Sequence, residues 1–431
     1  MILLSVLLLY PCLIERSIRK RRNSEIPPNR RIESCYPNLT IRGACDKLST
    51  MKIVVAPDSF KGSVSALEAA NAMEQGLRRV FPDAIIEKIP MADGGEGTVQ
   101  SLVDATGGHF QTRRVRAPLE NEVDAQFGIL SDGETAVIEM ASASGLTLVK
   151  PHERNPLRTT TYGTGELIHT ALEAGCRRLI IGIGGSATND GGAGMAEALG
   201  VRLLDTNGKQ IQRGGGSLGQ LASIDVTNLH PAIAETETVV ACDVNNPLTG
   251  PDGASHVYGP QKGATPEMIE TLDGHLAHFD EVLMQTLGKS FNDIPGAGAA
   301  GGLGAGLMAF LNAELRLGVD IMIDAVNLKE RVKGATVVFT GEGQLDFQTA
   351  FGKTPVGVAK VAKAYGIPVI AIAGGIAEGA EAVYDAGIDA MLGIVQEPMS
   401  LEDAVTDASR LIADTAEQAA RLVAIGTGMP K

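Results

Sequence analysis

The segment spanning residues 180–194 constrains the fold more than any other part of the chain. It opens with a short apolar run, IIGI, then breaks into glycines, small hydroxyl residues and one carboxylate, Asp190. This pattern predicts a buried parallel strand, a glycine-rich turn and the start of a helix near residue 195. The N-terminus of a helix favours anions such as phosphate through its free N–H groups. The Asp190 carboxylate at the same place would repel a phosphate. It therefore requires a metal, a base role or a turn-capping bond.

Composition narrows the classes of function. The chain has 431 residues, enough for about two or three domains. It contains 52 glycines, only 4% aromatic residues and no Trp, which favours an α/β enzyme with tight turns over a protein that stacks nucleobases. The net charge of −14 argues against nucleic acids and anionic membranes as partners.

The first fifty residues differ in composition from the rest. They carry nine basic and four acidic residues, and they hold three of the five cysteines. Their apolar run is interrupted by Pro11 and lacks the order of charges typical of a signal peptide. We predict that Met51 is the true start and that residues 1–50 are a disordered or mis-assigned extension; a targeting segment or membrane anchor is the alternative. The two remaining cysteines indicate neither a disulfide framework nor a zinc site.

Strand and helix patterns alternate at both ends of the chain. Strand–helix units begin near residues 52 and 85, and the alternation returns near residue 335. Between them, residues 111–140 predict an antiparallel meander, residues 201–211 predict a hairpin, and near the end residues 401–423 predict one closing helix. The predicted fold class is α/β with two domains. A discontinuous doubly wound parallel-sheet domain takes residues 51–115 and 330–431, and an inserted α/β domain takes residues 116–329.

Four loops at predicted strand ends combine glycines with carboxylates or a lysine. They cover residues 58–63, 93–98, 184–194 and 341–353. None matches the P-loop pattern, and none is a dinucleotide fingerprint followed by a ribose-binding acid. Together they favour phosphoryl transfer, which needs cations and backbone N–H groups around the phosphate, carboxylates for Mg²⁺, and a base for the attacking hydroxyl. Ligands bind at the carboxyl ends of strands in such sheets.

Each loop residue has a structural alternative. Lys61 could reach a phosphate or remain a solvated loop lysine. Asp93 and Glu96 could bind Mg²⁺ or substrate hydroxyls, or they could form a turn and a helix cap. Asp346 is a metal ligand or base, or a turn residue. Lys353 contacts a phosphate or is simply exposed.

Two further features lie in the middle of the chain. Asp243 ends an otherwise apolar strand, where an unpaired buried carboxylate is costly, so a functional role is favoured. The glycine- and alanine-rich residues 296–306 could form a phosphate nest, but close helix packing is the preferred interpretation.

Taken together, the loops resemble the type 1 glycerate kinase family. The segments that carry the resemblance are PDSFKGS (57–63), MADGGEGT (91–98), GGSATNDGG (184–192), TGEGQLD (340–346) and GKTP (352–355). The resemblance runs in order from Met51 to about Val423 and leaves residues 1–50 outside it. It implies a Rossmann-like domain, a second α/β domain, and an active site in the cleft between them.

The resemblance also implies an activity. Members of the family phosphorylate D-glycerate with ATP and Mg²⁺ in a bacterial cytoplasmic pathway of glyoxylate, glucarate or galactarate breakdown. The members most similar to this pattern make 2-phosphoglycerate, although the residues alone do not choose between the 2- and the 3-hydroxyl. A non-catalytic sugar-acid sensor is an alternative from another class, and a nicotinamide-dependent reductase lacks its fingerprint here. No nucleic-acid or membrane partner is expected, and a homodimer is left open.

On this resemblance we expect Asp190 to be the general base and Lys61 to hold phosphate charge. The remaining expected contacts are Gly184, Gly185, Ser186, Gly341, Gly343 and Lys353 for ATP, Asp93, Glu96 and Arg158 for the substrate, and Asp243, Glu342 and Asp346 for Mg²⁺. Lys353 is an alternative to Arg158 for pairing with the carboxylate of glycerate.

Overall fold

The computed structural model describes residues 51–95 and 97–427. The prediction that residues 1–50 form an extension, and the role expected of Glu96, therefore fall outside the described residues. Among the helices of the described segments, none is both long enough and apolar enough to cross a membrane.

Strands and helices alternate along most of the described chain. The strands are β1 (Lys52–Val55), β2 (Ile85–Lys88), β3 (His109–Arg116), β4 (Glu122–Ile129), β5 (Thr135–Glu139), β6 (Arg178–Gly182), β7 (Arg202–Leu204), β8 (Ser223–Asp225), β9 (Glu237–Ala241), β10 (Glu314–Arg316), β11 (Val337–Leu345), β12 (Val369–Ile376) and β13 (Ala390–Gly393). The helices are α1 (Ala66–Arg78), α2 (Thr98–Thr106), α3 (Ala141–Ser144), α4 (Tyr162–Glu173), α5 (Ala193–Ala198), α6 (Ala254–Tyr258), α7 (Pro266–Leu287), α8 (Ala299–Leu311), α9 (Gly318–Ala325), α10 (Leu328–Arg331), α11 (Thr354–Lys363), α12 (Ala382–Asp385), α13 (Leu401–Thr406) and α14 (Ala408–Thr427).

One sheet takes its strands from both ends of the described chain. Its order is β13-β12-β11-β1-β2, and every neighbouring pair is parallel. In β1, an interior strand of this sheet, Ile53 and Val55 pack with α1 and α14 on one face. Val54 packs with α9 and α11 on the other face. A parallel sheet covered on both faces needs such continuously apolar strands, which is why this short segment was recognisable in the sequence.

The second sheet is built from the middle of the chain. Its order is β10-β9-β6-β5-β4-β3. β3, β4 and β5 are antiparallel neighbours, so the predicted meander is confirmed, whereas β5, β6, β9 and β10 run parallel. The strand predicted at residue 180 thus lies parallel between β5 and β9. These sheets confirm the α/β class, and the parallel pairs dominate.

The two sheets share one buried apolar cluster. It contains Val54 and Val338 from the first sheet, Val137 and Ile180 from the second, and residues of α2 and α9. Apolar burial is the main favourable contribution to folding, so this cluster couples the two sheets energetically. The division into two domains at residues 115/116 and 329/330 remains a prediction.

Two predicted elements differ in detail from the structure. The hairpin predicted over residues 201–211 forms, since the Asp205 N–H donates to the Lys209 carbonyl at 2.8 Å and the Ile211 N–H to the Leu203 carbonyl at 2.9 Å, but β7 also pairs with the more distant β8. The closing helix is divided into α13 and α14, which meet at Asp407.

Local signals explain where several helices begin and end. The Ser65 side chain accepts a hydrogen bond from the Glu68 N–H, and the Glu68 carboxylate accepts one from the Ser65 N–H, which forms the predicted capping box of α1. For α7, Thr265 is the N-cap, Pro266 opens the helix and Gly288 closes it in the left-handed conformation.

Helices α1 and α14 cross in close contact at Gly76. A Cβ atom added there would collide with the carbonyl oxygen of Ala413 on α14. By contrast, Gly274 on the exposed side of α7 has open space around its Cα.

We expect the Gly76→Ala variant to lose about 1–3 kcal/mol of unfolding free energy, since overpacking forces the two helices apart. The Gly274→Ala variant is the matched control and should gain about 0.5–1 kcal/mol, because alanine favours the helix without a clash. Urea unfolding followed by circular dichroism measures both. Equal effects of the two substitutions would contradict the close crossing.

Candidate active site

The loops that follow β1, β2, β9 and β11 meet at the carboxyl ends of their strands. The Lys61 ammonium, after β1, lies 3.4 Å from the Asp93 carboxylate, after β2. Gly94 approaches β9 so closely that an added Cβ would lie 2.8 Å from the Cβ of Ala241. Its φ of +92° also favours glycine. The topology therefore brings side chains from distant parts of the chain to one place.

Five carboxylates gather there, and we call them the acidic cluster: Asp58, Asp93, Asp243, Glu342 and Asp346. The charge of Asp93 raises the pKa values of Asp58 and Asp243, and the charges of Asp58 and Asp346 raise the pKa of Glu342. Lys61 and Lys353 are the cations in contact with the cluster. Of the residues expected from the sequence, the structure thus brings together Asp93, Asp243, Glu342, Asp346, Lys61 and Lys353.

Asp58 belongs to this cluster although the sequence reasoning assigned it no role. It is only 6% exposed, and burial followed by the charge of Asp93 raises its pKa to about 6. The Thr354 hydroxyl and the Ser59 N–H each donate a hydrogen bond to its carboxylate, at 2.8 and 2.6 Å. The available signal was its position in the same loop as Lys61, just beyond the end of β1.

Glu342 and Asp346 form the β11 side of the cluster. Burial raises the pKa of Glu342 to about 7, although the Thr349 hydroxyl donates a hydrogen bond to it at 2.7 Å. For Asp346, burial is outweighed by hydrogen bonds from Lys353 and Thr349, which lower its pKa. The Lys353 ammonium lies 3.2 Å from the Asp346 carboxylate.

Asp243 and Lys61 complete the arrangement. Burial raises the pKa of Asp243, and the charges of Asp93 and Asp320 act in the same direction, while the Gly318 N–H donates to its carboxylate at 3.0 Å. Burial lowers the pKa of Lys61, but the carboxylates of Asp93 and Asp58 outweigh it and raise the pKa. The Lys61 side chain is 69% exposed and so can reach a ligand.

The charge balance of the cluster fits a hard divalent cation. Burial and neighbouring carboxylates raise the pKa values of Asp58, Asp243 and Glu342, and the opposing charges of Lys61 and Lys353 do not reverse the rise. Oxygen donors of this kind are the ligands that Mg²⁺ takes in proteins, usually one or two carboxylates together with phosphate oxygens.

Asp190 lies elsewhere, inside the protein. Its side chain is 0% exposed, and its carboxylate accepts hydrogen bonds from the Thr161 N–H and hydroxyl and from the N–H groups of Gly192 and Gly194. Burial raises its pKa, and these hydrogen bonds oppose the rise. Of the three explanations open in the sequence, this geometry matches the turn-capping bond, because the carboxylate serves the N-terminus of α5.

Lys262 is buried beside the same turn. It is 1% exposed, and its ammonium donates to the Thr188 carbonyl at 2.7 Å. Burial lowers the pKa of Lys262 to about 7, although the charge of Asp190 opposes this. The glycine-rich start of α8 also contacts this turn, since the Gly191 N–H donates a hydrogen bond to the Gly301 carbonyl at 3.0 Å. The expected close packing of this stretch agrees with the structure.

The remaining expected residues divide into two groups. Gly184 and Gly185 are exposed at the end of β6, and a Cβ added at Gly184 would lie 3.9 Å from the Cα of Gly95, in the Asp93 loop. Ser186 is 8% exposed. Arg158 is exposed in a turn against Gly214, and among the described residues it forms no ion pair with the acidic cluster.

Gly341 and Gly343 belong to β11 and adjoin the loop after β1. The Asp58 N–H donates to the Gly341 carbonyl at 2.8 Å, and a Cβ added at Gly343 would lie 3.3 Å from the backbone nitrogen of Lys61. Both glycines therefore place the Lys61 loop against the strand that carries Glu342.

Comparisons with known proteins give the same family along most of the chain. The profile described as the glycerate kinase family matches residues 53–424. The glycerate kinase of Bacillus subtilis is 56% identical over 379 residues, which are 88% of this chain and 99% of that protein. The glycerate 2-kinase of Escherichia coli K12 is 51% identical over 376 residues, 87% and 99% of the two chains. A crystal structure assigned to glycerate kinase 2 of Salmonella typhimurium LT2 has a TM-score of 0.83 at 50% identity, and it covers 88% of this chain and 100% of that one.

The buried Lys262 predicts a pH dependence of stability. Since its pKa is about 7 in the folded protein, against 10.5 for an unperturbed lysine side chain, the unfolded chain holds one more proton between pH 7 and 9. The free energy of unfolding should therefore rise with pH by up to about 1.4 kcal/mol per unit from this group. The Lys262→Met variant should lose this slope in urea unfolding at pH 7, 8 and 9. The exposed Lys209→Met control should keep it, and an unchanged slope in Lys262→Met would refute the assignment.

Proposed function

The chain belongs to the glycerate kinase family, and from this premise we propose that it transfers the terminal phosphate of ATP to D-glycerate, with Mg²⁺, to give 2-phosphoglycerate. The family makes it a kinase. The single observation that carries the finer proposal is the acidic cluster with the exposed Lys61 beside it. Phosphoryl transfer needs such carboxylates for the metal and a cation for the phosphate.

In this proposal Glu342, Asp346 and Asp243 hold Mg²⁺, and Asp58 supports the same site. The metal, when bound, neutralises charge on the phosphate oxygens. Lys61 contributes a positive charge at the open side of the cluster, where its exposed ammonium can follow the phosphate. The backbone N–H groups of the exposed Gly184 and Gly185 add donors from the β6 side, next to the buried Ser186.

The proton of the glycerate hydroxyl needs an accessible acceptor. A general base must come within hydrogen-bond distance of the proton that it removes. Asp190 is fully buried with four donors on its carboxylate, so the base role expected of it would require the turn to open. We propose Asp93 instead, because its side chain is 26% exposed and lies against Lys61.

The carboxylate of glycerate pairs, in this proposal, with a lysine of the cluster. Lys353 is the better candidate of the two cations expected from the sequence, since it forms an ion pair with Asp346, and Arg158 forms none with the cluster among the described residues. For the regiochemistry, the name of the Escherichia coli relative supports the 2-hydroxyl. Phosphorylation of the 3-hydroxyl is the alternative product. A non-catalytic sugar-acid sensor is disfavoured, because a sensor does not need both metal-binding carboxylates and a phosphate-binding lysine.

Incubation of the protein with ATP, Mg²⁺ and D-glycerate should release ADP and give the phosphorus NMR signal of 2-phosphoglycerate. Because the proposed reaction needs Mg²⁺ to neutralise charge on the phosphate oxygens, EDTA should abolish the reaction and added Mg²⁺ should restore it. The signal of 3-phosphoglycerate would correct the regiochemistry. Absence of any product, with D-glycerate still bound in calorimetry, would favour the sensor.

Two isosteric substitutions separate the base from the structural carboxylate. The Asp93→Asn variant should lower kcat by about 10²–10⁴-fold, as expected for loss of a general base, with unfolding unchanged. The Asp190→Asn variant should lose about 1–3 kcal/mol of stability, because an amide donor replaces an acceptor facing four donors. If Asp190→Asn unfolds like the parent while its kcat falls a hundredfold or more, Asp190 is the base and our reassignment is wrong.

A further inference from the structure

A cavity of about 520 Å³ lies between α9, α10 and α11, next to the acidic cluster. Its volume falls within the range of about 300–1,000 Å³ that is usual for small-molecule sites. Gly352 lines it immediately before Lys353, and Asp320 lines it while acting electrostatically on Asp243. Gly352 and Asp320 therefore link the cavity to the acidic cluster, although no expected site residue lines it.

The wall of the cavity is apolar, and part of it is uncovered. Val319, Ile323 and Val361 line its buried side. Leu317 and Tyr365 line it too, and they are 45% and 43% exposed. A large exposed aliphatic residue and an aromatic ring beside one cavity provide the kind of surface on which a planar base stacks.

Three cations surround this apolar wall in a protein whose net charge is −14. Arg316 and Lys329 both pair with Asp324, at 2.6 and 3.0 Å, and Asp320, which also lines the cavity, acts electrostatically on Arg316. The three cations and two carboxylates leave one positive charge in excess. Lys360 has no ion-pair partner among the residues that the structure describes. Positive charge beside an apolar cavity favours a ligand that carries both a ring system and phosphates.

Helix α11 connects the cavity with the acidic cluster. Gly357, Lys360, Val361 and Ala364 line the cavity at helical spacing, so they share one face. At the start of the helix, the Thr354 hydroxyl bonds to Asp58. Ten residues of helix measure about 15 Å, and a ligand laid along this face has one end at Tyr365 and the other at the cluster.

We infer that this cavity binds the adenine and ribose of the nucleotide, with the phosphates directed along α11 toward Lys353 and Lys61. The inference rests on the proposed function for the identity of the nucleotide. The ring lies against Tyr365, at the end of the cavity away from the acidic cluster, and Lys360 faces the phosphates.

The lack of Trp in the chain allows a direct test. The Tyr365→Trp variant places a single indole at the cavity, and the Tyr384→Trp variant places one at a comparably exposed tyrosine, 47% exposed on α12, outside it. We expect ADP, without glycerate, to change the fluorescence of Tyr365→Trp saturably and to leave that of Tyr384→Trp unchanged. Inorganic triphosphate, which lacks a base, should leave both unchanged.

A kinetic comparison supplies the second readout. The Lys360→Glu variant should raise the KM for ATP by about fivefold or more, the size of one charge contact, with the KM for glycerate unchanged. The exposed Lys209→Glu variant is the control and should match the parent. The inference is overturned if Tyr365→Trp phosphorylates glycerate normally while its fluorescence does not respond to ADP, and Lys360→Glu keeps the KM for ATP of the parent. An ADP response without phosphorylation of glycerate would sustain this site and contradict the proposed function.

Discussion

The buried carboxylate of Asp190 is the constraint on which the centre of the molecule depends. It accepts four hydrogen bonds, from the start of α4 and from the start of α5. A buried charge is stable only when its donors surround it. The turn after β6 therefore has one conformation, with Lys262 fixing the Thr188 carbonyl behind it. The anion that the N-terminus of α5 attracts is thus the protein's own side chain, whereas the exposed Gly184 adjoins the Asp93 loop.

Sequence patterns predicted the elements that depend on local physics. The strand–helix units near residues 52, 85 and 335 and the meander over residues 111–140 were predicted from local patterns. The parallel strand at residue 180 was predicted from an apolar run before a glycine-rich loop. The pairing of β7 with β8 was missed because strand partners across a longer separation leave no local signal. In the site, the loop patterns identified most of the carboxylates. Residue type alone could not predict that Asp190 is buried or that Asp58 lies in the same cluster as Glu342. Burial is a property of the whole fold, and so are the pKa values that follow from it.

The acidic cluster illustrates a conflict between stability and chemistry. Like charges held together at strand ends raise one another's pKa and weaken the folded state. Elsewhere the protein pairs its charges: Arg213 lies between Glu120 and Glu197, and Arg331 binds Glu87. At the cluster, burial and mutual repulsion remain uncompensated at Asp58 and Glu342. Binding sites are commonly less stable than the scaffold around them.

The interior strand β1 has a consequence for the order in which the protein is made. The carbonyl of Ala56, directly after β1, accepts a hydrogen bond from the Thr340 hydroxyl of β11, 284 residues further along the chain. At translation rates of about 5–20 residues per second, β1 would leave the ribosome roughly 15 to 60 s before its partner β11. During that interval the six-stranded sheet can assemble, while the edge of β1 that pairs with β11 has no partner strand. A chaperone that shields the nascent N-terminal strands would therefore act mainly in this interval.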